Sequence, residues 1–208
     1  MLGHRVGMSL KGSNNVILGY DAAYVLSGSS SGNVILGVGT GHVAADIDYA
    51  VVIGNNAGYQ LTGTDGNAPD GVVLIGYRAG RLFTSGSGNV VVGDNAFYSA
   101  GARQYNTVMG SGAMYDATTA SKNVSIGYQT LANLTTGDSN VAIGYQAGDA
   151  LTTGFKNVAI GDSALSSDDV GAGHIAIGGN ALVTQNFASV NNEFEANISI
   201  GNKSSHNN

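Results

Sequence analysis

The chain has 208 residues, 8 of them Lys or Arg and 14 Asp or Glu, which gives a net charge of −6 with only 11% charged side chains. It has no Cys, which excludes disulfides, thiolate metal sites and cysteine catalysis, and so few basic groups on an acidic chain exclude nucleic acid and an anionic membrane surface as partners. Glycine is abundant, 33 residues against one Pro, yet 43% of the residues are hydrophobic, enough for a core if their pattern is regular. No apolar run approaches the ~20 residues of a membrane-spanning helix, and 1–12 holds no hydrophobic stretch of secretory-signal length, so the expected state is soluble.

Residues 1–13 are read as an N-terminal arm or anchor. From residue 14 the chain repeats. In order it passes through Val16-Ile-Leu-Gly19, Val34-Ile-Leu-Gly37, Val51-Val-Ile-Gly54, Val73-Leu-Ile-Gly76, Val90-Val-Val-Gly93, Thr107-Val-Met-Gly110, Val124-Ser-Ile-Gly127, Val141-Ala-Ile-Gly144, Val158-Ala-Ile-Gly161, Ile175-Ala-Ile-Gly178 and Ile198-Ser-Ile-Gly201. Spacings between the closing glycines are 18, 17, 22, six of 17, and 23. The longer ones are insertions into loops, one at 59–71 and one within 183–196. Residues 14–182 thus form the repeat body, and 183–208 a last turn with an insertion and a C-terminal cap or tail.

Two aliphatic positions two residues apart, rich in β-branched side chains, mark a short strand in every unit. A helix would need apolar spacings of three and four and would tolerate this much glycine poorly. Three residues beyond each closing glycine only small residues occur, from Ala22 and Thr40 to Ala181 and Ser204. That restriction marks a crowded bend. Seven residues beyond it stand Leu26, Leu61, Phe83, Leu134 and Leu151, a second inward anchor. The expected fold is all-β, a parallel β-solenoid (β-roll or β-helix) of eleven turns of about 17 residues.

The first and third strand residues are expected to face the interior, and the middle one the other side. In the first six units that middle residue is Ile17, Ile35, Val52, Leu74, Val91 and Val108, and thereafter Ser125, Ala142, Ala159, Ala176 and Ser199. A strand apolar on both faces is covered on both, so the six bulky residues are expected to form an oligomer interface. The alternative is a single solenoid that encloses both faces. Asn opens eight units, at Asn15, Asn33, Asn89, Asn106, Asn123, Asn140, Asn157 and Asn197, where stacked amides would make a hydrogen-bonded ladder.

The Asn-Val-x-Ile-Gly units, with Gly144-Tyr-Gln-Ala-Gly148 and Leu151-Thr-Thr-Gly154 between them, resemble the glycine-rich repeats of bacteriophage tail fibres and virion surface proteins. They are also similar to the head repeats of trimeric autotransporter adhesins, whose repeat is shorter. The likeness covers Asn15 to Gly201. It implies three chains packed about an axis, hence a homotrimer, and a non-enzymatic structural role at the virion surface. The chain would be a capsid-decorating (cement) protein or a short fibre or spike bound to a capsid or tail protein. The alternative is an adhesin-like head that binds a host receptor or glycan.

Chemistry is sparse. Ser163, in a hydrolase-like Gly161-Asp-Ser-Ala-Leu165, occupies a repeat position held by Asn95 and Gly112 elsewhere, and Gly37-Val-Gly-Thr-Gly41 lacks the helix of a phosphate loop. His4, His42, His174 and His206 have no metal-ligand spacing. Asp65, Asp70 and the pair Asp168-Asp169 are turn-rich carboxylates of the kind calcium uses, although solvated turns have the same composition. Asp94 and Asp162 share a register but lie four turns apart, roughly 19 Å at ~4.8 Å per turn, too far for paired glycosidase carboxylates. Scattered Thr residues argue against ice binding. Tyr20, Tyr77, Tyr128 and Tyr145 follow closing glycines and would stack along the surface or form a glycan-binding ridge. No catalytic residue, metal or cofactor is expected.

Overall fold

A computed structural model describes residues 2–62, 69–99, 101, 103–184 and 196–204. The strands are three residues each: β1 Val16–Leu18, β2 Val25–Ser27, β3 Val34–Leu36, β4 Val43–Ala45, β5 Val51–Ile53, β6 Val73–Ile75, β7 Val90–Val92, β8 Thr107–Met109, β9 Val124–Ile126, β10 Val141–Ile143, β11 Val158–Ile160, β12 Ile175–Ile177 and β13 Ile198–Ile200. There is no helix among the described residues. Eleven strands stack in sequence order into one parallel sheet, and β2 and β4 pair as a second. Every pairing keeps equivalent residues level, as in Val141 beside Val158 and Ile143 beside Ile160. The fold is therefore a parallel β-solenoid. It has about nine turns, where eleven were expected.

The facing of the strands corrects the sequence expectation. Ile17, Ile35, Val52, Leu74, Val91 and Val108 are not an outer interface: all lie in the core of the single chain, at most 1% exposed. The first and third residues point outward instead. A turn of this size has room for one inward side chain per strand. The rest of the interior is filled from the opposite wall by Leu26, Leu61, Phe83, Phe97, Met114, Leu131, Leu134, Leu151, Leu165 and Leu182. The bend residues Ala22, Ala57, Ala79, Ala96, Ala113, Ala147, Ala164 and Ala181 are fully buried, which is why only small side chains occur there.

The closing glycines stack on one another with φ between 126° and 146°, a region open to glycine alone. A Cβ on Gly127 would collide with the carbonyl oxygen of Gly144 in the next rung. The asparagine ladder forms as expected. The Oδ1 of Asn106 accepts the backbone N–H of Asn123 at 3.0 Å, Asn123 that of Asn140 at 2.7 Å, and Asn140 that of Asn157 at 3.0 Å. From Asn15 to Asn157 each amide Nδ2 also donates to a turn carbonyl, as from Asn140 to Gly154 at 2.9 Å, so buried backbone that cannot reach water is satisfied.

Residues 2–13 are a partial first rung and not a separate arm. Leu2 bridges Leu18, Gly3 has the closing-glycine conformation with φ 136°, and Val6 and Leu10 pack against the core.

Candidate interaction surfaces

The outer face of the eleven-stranded sheet is the largest chemical feature of the surface. Each strand contributes its first and third side chains, and every one of these is Val, Ile, Leu or Met apart from Thr107. End rungs are the most open, with Val16 57%, Ile198 69% and Ile200 68% exposed; interior rungs such as Val141 and Ile143 are half-buried by their neighbours above and below. At ~4.8 Å per strand this wall is about 50 Å long. It bears no charge. Contiguous apolar surfaces on that scale are of the kind found at protein–protein contacts.

The tyrosines expected to line up do so only in part. Tyr128 stacks on Tyr145 with centroids 5.3 Å apart, Tyr20 on His4 at 5.2 Å, and Tyr77 lies under the Arg78 guanidinium at 4.7 Å. All four are exposed. Each has one ring face covered by its neighbour, which leaves edges, hydroxyls and at most one face for a sugar.

A longer column stands five residues beyond the closing glycine, and sequence reasoning missed it. Tyr24, His42, Tyr59, Arg81, Tyr98 and Tyr115 follow one another along the solenoid, and the Arg5 guanidinium lies 4.3 Å from the Tyr24 ring at the open end. The His42 ring lies 4.7 Å from Tyr59 at an interplanar angle of 7°, and Tyr98 lies 5.0 Å from Tyr115 at 6°. Arg81 bridges the two halves, and its Nη1 donates to the Tyr98 hydroxyl at 3.2 Å. Six successive planar residues at one offset were the available sign. Stacking of this kind adds about 0.5–1.5 kcal/mol per pair.

Carboxylates serve the scaffold. Asp70 Oδ1 accepts the Asp48 N–H at 3.0 Å, Asp48 accepts Ser31 at 2.6 Å, and Asp138 accepts Ser121 at 2.6 Å, a second ladder parallel to the asparagines. Asp168 is fully buried against His174, and no cluster of three metal-ligating side chains occurs among the described residues. Asp65 and His206 lie outside the described residues, as does most of the insertion within 183–196. Ser163 Oγ donates to Asp162 Oδ1 at 2.9 Å at the exposed corner of a turn.

Two ionisable groups, Arg103 buried and Asp149 half-buried, carry no signal in the repeat itself. Arg103 is 1% exposed, its Nη2 donates to the Ala117 carbonyl at 2.5 Å, and burial pulls it down to about 10. Burial also pushes the Asp149 carboxyl up. No family model, no curated protein and no solved structure matches the chain.

Proposed function

We propose that the protein is a non-enzymatic structural component of a bacteriophage virion surface, a homotrimer of eleven-turn solenoids that decorates the capsid or forms a short fibre or spike. The observation that carries the reading is the uncharged aliphatic wall. Three such walls turned toward a common axis bury their outward Val and Ile side chains against one another, each worth about 1.5–3 kcal/mol when fully covered. The interface is thus the first and third residues of each strand, not the middle ones. Its mechanism is mechanical: stacked turns make a stiff body with a polar, weakly acidic exterior that docks on a capsid or tail protein. The repeat's resemblance to virion proteins supplies the location, and its resemblance to adhesin heads the number three.

Native mass spectrometry or sedimentation tests the assembly. Three chains per particle are expected, and Ile143→Asp together with Ile126→Asp yields monomers or aggregates. A stable, folded wild-type monomer overturns the trimer. Stoichiometric binding to purified capsids, without binding to host cells, supports decoration.

The exposed Tyr20, Tyr77, Tyr128 and Tyr145 favour a second reading, an adhesin-like head that contacts host glycan. Glycan-array binding lost on mutation of the four to Ala supports it, and binding that survives eliminates it.

A further inference from the structure

In the asparagine ladder each Oδ1 accepts the N–H that opens the next rung, and an amide oxygen does not titrate. At one rung, the last but one, the ladder position is His174. Its own N–H donates to Asn157 Oδ1 at 2.9 Å, as an asparagine there would. On the far side its ring Nδ1 receives the backbone N–H of Asn197 at 3.1 Å. A backbone N–H only donates, so Nδ1 must carry a lone pair and the ring proton sits on Nε2. That nitrogen faces Asp168 Oδ2 at 3.4 Å, and the other Asp168 oxygen accepts the Gly171 N–H at 3.0 Å. His174 and Asp168 are 1% and 0% exposed. A Cβ on Gly171 would collide with the Asp168 carboxylate, so the pair fits only because that residue is glycine.

We infer that this junction is a pH-sensitive latch: His174 holds the last rung, β13, onto the solenoid while its imidazole is neutral, and acidification loosens the rung. A proton on Nδ1 turns the acceptor into a donor aimed at the Asn197 N–H, and two donors then meet in a buried site. The rung is also attached by the β12–β13 ladder, by the backbone bonds from Ile175 N–H to Asn197 O, Gly201 N–H to Ile177 O and Lys203 N–H to Gly179 O, each 2.8 Å, and by Leu182 N–H to Ser204 O at 3.2 Å. β13 ends the sheet, with no strand beyond it among the described residues, so it is held from one side.

Asp168 is an ionisable group in contact with the ring, and the rungs on either side meet it through the uncharged amides of Asn157 and Asn197. Asp168 lies on the His174 side of the junction, so it attracts the imidazolium whether β13 is docked or not. Docking therefore disfavours a proton on Nδ1. Docking is fully supported while Nδ1 is unprotonated and weakens as the pH falls and Nδ1 takes up a proton. The inference is independent of the proposed virion role.

Native-state hydrogen exchange on the full assembled chain tests it, at about pH 7.5 and about pH 5.5, with each rate normalised to that of an unstructured peptide at the same pH. Acidification should raise opening at Gly201 and Lys203 about tenfold while β9 to β11 stay unchanged. His174→Asn, which restores the ladder amide, should abolish that difference. An equal response in all rungs, or a response kept in His174→Asn, overturns the latch. Should that variant not fold, the wild-type ring is read by NMR. The Nε2–H tautomer at the higher pH, titrating together with opening of β13, supports the latch, and a ring that titrates with no opening overturns it.

Discussion

In β1, β3, β5 and β6 the inward residue is Ile17, Ile35, Val52 or Leu74, and four residues beyond the closing glycine stands Ala23, Gly41, Gly58 or Gly80. In β9, β11 and β12 the inward residue is Ser125, Ala159 or Ala176, and the corresponding position holds Leu131, Leu165 or Leu182. Between them, β7 and β8 pair Val91 with Phe97 and Val108 with Met114. The bulk has moved from one wall of the coil to the other while the interior stays filled. Where both are small, at Ala142 and Gly148, neighbouring rungs fill the gap: a Cβ on Gly148 would lie 3.0 Å from Leu131 Cδ2 and 3.2 Å from Leu151 Cδ1. The change of side-chain size halfway along the sequence is thus a packing exchange inside one chain, and it says nothing about which face meets a partner.

The exchange is most directly broken in the N-terminal half. Leu74→Ala leaves a cavity between Gly58 and Gly80, which have no side chain to offer, and should cost about 3–5 kcal/mol in chemical denaturation. In the C-terminal half the reverse change overfills the coil: Ala159→Leu should cost about 1–3 kcal/mol. Adding Leu165→Ala to Ala159→Leu should recover part of that loss, because the two side chains share the same space. A double-mutant cycle with no coupling would show that the two walls do not trade volume.

The period, the strands, the small-residue bend and the asparagine ladder were all legible in the sequence, because each is a single position repeated eleven times or nearly so. The facing of the strands was not. Alternation identifies an inner face only when one face is polar, and Val-Ile-Leu at 16–18 is apolar throughout. Three residues are too few to break the tie. The compensation between the middle residue and the position four beyond the glycine was the readable sign. The partial first rung was legible too, since Gly3 precedes Gly19 by 16 residues with Val6 and Leu10 at the bend and anchor offsets, but it lacks the Asn-Val-x-Ile-Gly string. Among candidate sites, the tyrosines were placed correctly at the surface. The longer planar column and the His174–Asp168 pair were hidden because they depend on which residue sits above which.

Arg103 lies at the boundary of the two halves, in a position that Ala120, Gly137, Gly154 and Gly171 hold in later rungs. A buried guanidinium costs desolvation that its one carbonyl bond does not offset, so Arg103→Met should stabilise the protein by about 1 kcal/mol or more. The pH dependence has a definite sign. Burial lowers Arg103 from the ordinary guanidinium range to about 10, so near and above that pH the folded state binds fewer protons than the unfolded one. Wild type should therefore gain on Arg103→Met as pH rises from about 9 to about 11, with the tyrosine titrations common to both cancelling in the difference. Parallel stability curves for the two would remove burial of a charge as the cause.

The smallest effect concerns backbone strain. Five residues before the closing glycine the chain is in the left-handed region along the whole solenoid, with Gly32, Gly71, Gly88 and Gly173 at some rungs and side chains at Asn14, Tyr49, Tyr105, Lys122, Ser139 and Lys156, the last three with φ of 60°, 62° and 57°. A side chain in that region costs about 1–2 kcal/mol, and glycine offsets part of the gain through the extra freedom of its unfolded chain. Lys122→Gly should raise stability by about 0.5 kcal/mol, and Gly88→Lys should lower it by about 1 kcal/mol, since its Cβ would also press to 2.9 Å from the Tyr105 ring. Lys122 is exposed, so its removal empties no core. A pair of denaturation midpoints moving in opposite directions would tie both shifts to φ, whereas a loss in both would mean that the lysine side chain contributes more to the rung than its backbone conformation costs.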